Sequence, residues 1–141
     1  MLKSTEKELR GLKVGYRAKF FMKLTEQFAN NEINEFVLRK ITKEELRKKM
    51  LRLYGIGPAS VEYLLFEDFY FLDALTTIPP WEQKIMSRLI FNKKLVSTKK
   101  ILDFFKKFKG WEKLAFHYIW EDIFWKRKHN HIEWLEKEIR L

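Results

Sequence analysis

The sequence contains no cysteine. Disulfides, zinc–thiolate sites and iron–sulfur clusters are excluded with it. Glycine and proline are scarce, at 5 and 3 of 141 residues. That scarcity favours helices joined by short connections. No stretch stays apolar for the ~18 residues a membrane span requires, so no membrane partner is expected. The opening residues, Met1 to Lys7, are too polar for a secretory signal, which points to an intracellular protein. Strand signals are missing as well. The one alternating run, Phe66 to Leu72, lies inside a better helical pattern. There is no internal repeat, low-complexity tract or obvious linker.

What is present is aromatic and basic. Hydrophobic residues make up 46%, enough to argue against disorder, and Phe alone supplies 13 residues. Lys and Arg number 29 against 19 acidic residues, a formal charge of +10. Such a balance is a physical argument for a polyanionic partner, although a basic protein without one is the plain alternative. The length suits one domain with its own core.

The helical signals follow one another along the chain. Thr5 and Glu8 are spaced as a capping box for a first helix ending near Lys13, and Gly15 breaks it. Tyr16 to Asn30 reads as a helix with Ala18, Phe21, Met22, Phe28 and Ala29 on one side. Phe36 to Ile41 reads as a connector. Thr42 and Glu45 open a helix through Leu46, Met50 and Leu53. An apolar helix runs from Pro58 to about Phe71. Pro79-Pro80 blocks helix before it and starts one to about Phe91. Ser97 or Thr98 caps the next, and Gly110 ends it. Trp111 to Trp125 forms an aromatic helix, Lys126 to His131 a basic link, and Ile132 to Leu141 a closing helix. The expectation is a single all-α domain over residues 1–141.

The chemistry centres on Leu53-Tyr54-Gly55-Ile56-Gly57-Pro58, between two helical patterns. Gly55 can take φ > 0, Gly57 allows close backbone approach, and Pro58 suits the first position of a helix. The turn therefore presents N–H groups at a helix N-terminus, a ready site for phosphate. An ordinary helical corner without a ligand is the plain alternative, because short motifs give false matches.

In order and spacing, the stretch from about Leu9 to Leu141 resembles the helix-hairpin-helix DNA glycosylases. Gly15-Tyr16-Arg17-Ala18-Lys19 resembles the segment before the hairpin in 8-oxoguanine glycosylases. Leu53 to Pro58 resembles the hairpin, and Ile78-Pro79-Pro80-Trp81-Glu82 with Arg88 resembles the region of the catalytic acid. Trp111 to Trp120 is similar to the late helix of alkylated-base enzymes, the subgroup the chain most suggests. The resemblance implies a helix-hairpin-helix orthogonal bundle, a partial barrel matching the C-terminal two-thirds of the family's domain. It also implies double-stranded DNA as partner and a cytoplasmic, nucleoid-associated location.

The implied activity is hydrolysis of the N-glycosidic bond of a damaged, alkylated base. It needs a carboxylate near the sugar and an aromatic pocket for the extruded base. Phosphate would be held by Gly55, Ile56, Gly57 and Ala59. Ala59 stands where one subgroup carries a Schiff-base lysine, which implies a monofunctional enzyme without lyase chemistry. Two registers are open for the acid: Glu82, or an alignment on Arg88 that leaves the position on Pro79 empty. Glu82 is preferred, against its reading as a first-turn acid favoured by the helix dipole. Tyr16 and Arg17 match residues that wedge into the gap and contact the widowed base; equally, they read as a tyrosine packed beneath an exposed arginine. Trp81, Phe116 and Trp120, with Trp111, are candidate pocket rings, though aromatics at helical spacing are as a rule packing. His117, His129 and His131 do not make a metal site. No cofactor is expected beyond a monovalent cation at the hairpin, which the resemblance suggests.

Only 14 residues precede Gly15, where the family has several helices. An unfinished barrel would expose Phe20, Phe21 or Phe36 and invite a homodimer or a second chain. A non-catalytic helix-hairpin-helix DNA-binding module, or one part of a split glycosylase, is the alternative function. A helical protein–protein module without a nucleic-acid role is the third.

Overall fold

The structure, a computed structural model, describes residues 4–139. These contain helices and turns and, among the described residues, no strand. Contacts divide the chain into two compact units, Met1–Val61 and Glu62–Leu141.

The first unit holds α1 (Glu6–Gly11), α2 (Arg17–Ala29), α3 (Glu35–Leu38), α4 (Lys43–Met50) and the start of α5 (Pro58–Glu67). Both capping boxes form. The Thr5 and Thr42 hydroxyls accept the N–H of Glu8 and Glu45, whose carboxylates accept the N–H of Thr5 and Thr42. Each satisfies two donors that a helix start leaves without partners. Gly15 (φ +59) breaks the chain before α2, as its position suggested. The expected connector after Phe36 is instead the single turn α3. Asn34 caps it through its side chain and the Val37 N–H. Leu9, Ala18, Ile33, Leu46, Met50 and Val61 are buried.

The second unit holds the end of α5, then α6 (Pro80–Phe91), α7 (Thr98–Phe105), a 3₁₀ turn (Lys106–Phe108), α8 (Glu112–His129) and α9 (Glu133–Glu138). α5 stops at Glu67, short of the expected Phe71. The N–H groups of Phe69 and Phe71 fold back onto the carbonyls of Leu64 and Leu65, and Tyr70 turns left-handed. Pro80 is the first residue of α6, so its missing N–H is no loss. The basic link expected over Lys126 to His131 is, up to His129, the last turn of α8. Cations there complement the negative end of the helix. The closing helix ends at Glu138, and its expected extension to Leu141 passes beyond the described residues.

Two clusters fill this unit. Ile78, Met86, Ile101, Phe105 and Phe116 form one, and Ile85, Ile123 and Leu135 the other. α6 packs on α7 and α9. Its buried Ser87 donates to the Gln83 carbonyl at 2.6 Å and accepts the Val96 N–H at 3.0 Å. The Gln83 amide donates to the Val96 carbonyl at 2.7 Å. Two side chains of α6 thus take both backbone groups of the residue that leads into α7. Ser87→Ala leaves the Val96 N–H without its acceptor and should destabilise the chain by ~1–3 kcal/mol, read as a lower urea midpoint with an unchanged slope.

Candidate active site

The hairpin lies wholly in the first unit. Gly55 adopts φ +80, and the Ile56 N–H donates to the Leu53 carbonyl at 3.1 Å. A side chain at Gly55 would be strained by that φ and would place its Cβ 2.8 Å from the Phe20 ring. At Gly57 a Cβ would meet nothing within 4 Å. The Gly57 carbonyl accepts the Val61 N–H, so α5 starts as the turn closes. The N–H groups of Ala59 and Ser60 fall in the first turn of α5, where no intrahelical carbonyl precedes them, and both residues are exposed. Of the four residues expected to hold phosphate, Ile56 differs from the rest. Its N–H is used inside the turn.

Tyr16 and Arg17 lie on the same side of this unit as the hairpin, and Phe20 connects them. The Tyr16 ring meets Phe20 edge-on at 5.6 Å, and Phe20 meets Tyr54 edge-on at 5.6 Å. The Arg17 guanidinium stands 5.4 Å from the Tyr16 centroid, and the Lys19 ammonium 5.9 Å from that of Tyr54. Tyr54 is tied back through its N–H to Gln27 Oε1 at 3.3 Å. Exposed Tyr16, Arg17, Lys19, Tyr54 and Gly55 therefore form one cationic, aromatic surface around a half-buried ring. Of Phe20, Phe21 and Phe36, one or more of which an unfinished barrel would expose, Phe20 is half-buried and supports the hairpin. Phe21 and Phe36 are exposed as expected, and Phe28 with them.

Glu82 lies in the second unit, in the first turn of α6, and is 2% exposed. The Tyr63 hydroxyl, from α5, donates to its Oε1 at 2.9 Å. Burial pushes the Glu82 carboxyl above the usual carboxylate range, and the Tyr63 hydrogen bond and the Lys113 charge act against that rise. Burial also raises the Tyr63 phenol, with the Glu82 charge adding to it. Lys113, in the first turn of α8, is 5% exposed. Its ammonium lies 4.8 Å from the Tyr63 centroid, 5.1 Å from Phe116 and 5.9 Å from Phe66. Burial lowers its ammonium below the ordinary lysine range, against the charges of Glu82, Glu62 and Glu67. Glu62, also buried, accepts the Thr76 hydroxyl at 2.7 Å and the Thr76 N–H at 3.4 Å.

The remaining rings divide between surface and core. Half-exposed Trp81 meets Trp120 edge-on at 4.8 Å, and Trp120 leans on Phe124 at 4.6 Å. Phe116 is a core residue. It is buried against Phe105 at 5.4 Å, and its place in the cluster around Met86 leaves no face for an incoming base. Trp111 is exposed. Among the described residues, no group of three His, Cys, Asp or Glu is arranged to hold a metal ion.

Sequence reasoning missed Tyr63, Glu62 and Lys113. A signal for the lysine was present: Lys113 stands three residues before Phe116, on the stripe that α8 buries. A charge on an apolar stripe is rare unless it is paired.

The fold is the all-α fold of the helix-hairpin-helix DNA glycosylases, with the glycine hairpin between α4 and α5. No family model and no curated protein sequence matches the chain. Three solved structures do. MBOgg1 in complex with a low-affinity DNA ligand superposes with a TM-score of 0.70 at 19% identity, over 84% of this chain and 40% of that one. The Clostridium acetobutylicum 8-oxoguanine glycosylase/lyase in its apo form gives 0.68 at 24% identity, over 84% and 41%. The same enzyme with double-stranded DNA containing cytosine opposite 8-oxoguanine gives 0.66 at 25% identity, over 86% and 43%. The chain thus spans 40% to 43% of the length of the proteins it matches. These neighbours do not represent the alkylated-base subgroup suggested by Trp111 to Trp120.

Proposed function

We propose that this chain carries DNA glycosylase chemistry, hydrolysing the N-glycosidic bond of a damaged purine in duplex DNA. The observation behind the reading is Glu82, a carboxyl group buried at the start of α6 and oriented by the Tyr63 hydroxyl. In this reading the amides of Ala59 and Ser60 and the open space at Gly57 accept a phosphate, and Tyr16 and Arg17 meet the bases. Glu82 stabilises the cationic centre that develops at the sugar and orients the attacking water. Its place in the first turn of α6 lets the helix dipole favour the anion. Ala59 supports the monofunctional form, because the hairpin supplies no amine. Alkylated purine is the substrate suggested by the late aromatic helix, and 8-oxoguanine is the base named for the structural neighbours.

The test is base release from duplexes carrying an alkylated purine or 8-oxoguanine, each assayed with and without alkali. Release with strand cleavage only after alkali is expected. Cleavage without alkali would remove the monofunctional reading. One observation favours a second reading, a DNA-binding module without catalysis: Glu82 has almost no access to solvent behind Tyr63. That reading gives salt-sensitive duplex binding with no base released from any substrate.

Exposed Phe28, Phe36 and Val37 in the first unit support a further part of the proposal, association with a second copy of the chain. Light scattering that shows a well-dispersed monomer across a wide concentration range would remove it. A repair role would place the protein with the nucleoid. Among the described residues, no helix is long and apolar enough to cross a membrane.

A further inference from the structure

We propose that Lys113 is a positioning residue for this site, its caged ammonium holding the buried Glu82 carboxylate ionised and bonded to Tyr63. The inference rests on the reading of Glu82 as the acid of the reaction, and it assigns that acid a charged partner.

The argument begins with what packing alone would select. The Lys113 stem and ammonium sit among Tyr63 and Phe66 of α5 and Phe116 of α8. Contact of a desolvated cation with rings is favourable. Burying the ammonium costs more than that contact returns, so the cage alone does not justify the charge. A leucine or methionine would fill the same space with no such cost. The charge therefore answers negative groups nearby. Those acting on Lys113 are Glu82 of α6 first, then Glu62 and Glu67 of α5. Glu62 already has the Thr76 hydroxyl and N–H as donors, and Glu67 is exposed. Glu82 has one neutral donor, Tyr63, and nearly complete burial. It is the carboxylate with most to gain.

Glu82 in turn meets Tyr63 from α5 and the charge of Lys113 from α8. A glycosylase acid must be ionised to stabilise a cationic sugar or to take a proton from water. Burial works against that state, and one phenol hydrogen bond is a weak remedy. Tyr63 fixes the direction of the carboxylate, and the Lys113 charge opposes the burial that raises its pKa. The backbone holds the lysine in place: the Leu72 carbonyl accepts the N–H of Lys113 at 2.9 Å and of Leu114 at 3.1 Å.

The test is a carbon-detected NMR titration of the Glu82 carboxyl in the free protein, for the wild type, Lys113→Met and Lys113→Arg. Lys113→Met is expected to move the Glu82 midpoint up by about one to three pH units, and Lys113→Arg to return most of the shift. The acid limb of base release should move by the same amount while the high-pH plateau holds. An unmoved Glu82 midpoint in Lys113→Met, with activity lowered equally at every pH, would overturn the proposal and leave Lys113 a packing residue. If Lys113→Met does not fold, the wild type still decides. The Lys113 Nζ resonance must step at the pH where Glu82 titrates, and a flat trace overturns the proposal. If no base is ever released, the glycosylase reading fails alone, and the two NMR titrations still settle the coupling.

Discussion

Glu82→Gln is expected to lower base release by at least about a hundredfold, and duplex binding should change by less than about twofold. The substitution isolates charge from shape. Glutamine has nearly the same volume, and its carbonyl oxygen can still accept from the Tyr63 hydroxyl, which donates to Oε1 in the native chain. What disappears is the negative charge that would face a cationic sugar. A single-turnover assay separates this from binding, because a group that acts only in the transition state changes the rate constant and leaves affinity alone. Activity equal to wild type would remove Glu82 from the mechanism.

The same variant has a stability signature whose sign follows from burial. Glu82 is held above its ordinary range in the folded chain. Its neutral form therefore favours folding fully below the unfolded value, and that contribution is lost as pH rises through the folded one. Glutamine cannot ionise, so the variant keeps the contribution at neutral pH. Thermal melts should show Glu82→Gln gaining on the wild type as pH rises from the ordinary carboxylate range through the raised folded value. A difference that is constant across that window would contradict the buried carboxyl.

Two glycines one residue apart should respond in opposite ways. Gly55→Ala is expected to destabilise the fold by ~1–3 kcal/mol, because its φ of +80 is unfavourable for any residue with a Cβ. Phe20 must also move, since the new carbon would sit 2.8 Å from its ring, and Phe20 joins Tyr16 to Tyr54. Gly57→Ala should melt within a degree or two of wild type, because a Cβ there meets nothing within 4 Å. Gly57→Glu should fold equally well and lose duplex affinity by at least about tenfold, its carboxylate lying where a phosphate is to approach. Urea titration and fluorescence anisotropy separate the two effects. A Gly57→Glu protein that binds DNA like the wild type would rule out phosphate recognition by the hairpin.

Much of this was visible in the residues themselves, for local reasons. Thr5 with Glu8 and Thr42 with Glu45 state helix starts through bonds to their own neighbours, Pro79-Pro80 through the fixed φ of proline, and all three appear. Gly55 announced a left-handed turn, which only glycine takes freely. The end of α5 was not visible, because Tyr70 takes a left-handed conformation that its side chain does not advertise. The basic run after Trp125 looked like a link; it is held helical because cations at a C-terminus are favourable. Phe116 and Trp120 share one helix and were indistinguishable as pocket or core; Phe116 is buried in the cluster around Met86, and partly buried Trp120 packs against that cluster while meeting Trp81. The partners of Glu82 come from α5 and α8, and no local pattern links those helices to α6.

The doubly used carbonyl of Leu72 has a consequence for how this chain could change over time. By receiving the N–H groups of Lys113 and Leu114, it holds the start of α8 against the segment that follows α5. One residue inserted between Glu112 and Lys113, inside the first turn of α8, would shift every following side chain by about 100° around the axis. The ammonium would then leave its rings and an unrelated side chain would enter. Lengthening that turn is therefore closed to evolutionary drift, and tolerated insertions should fall elsewhere on the surface.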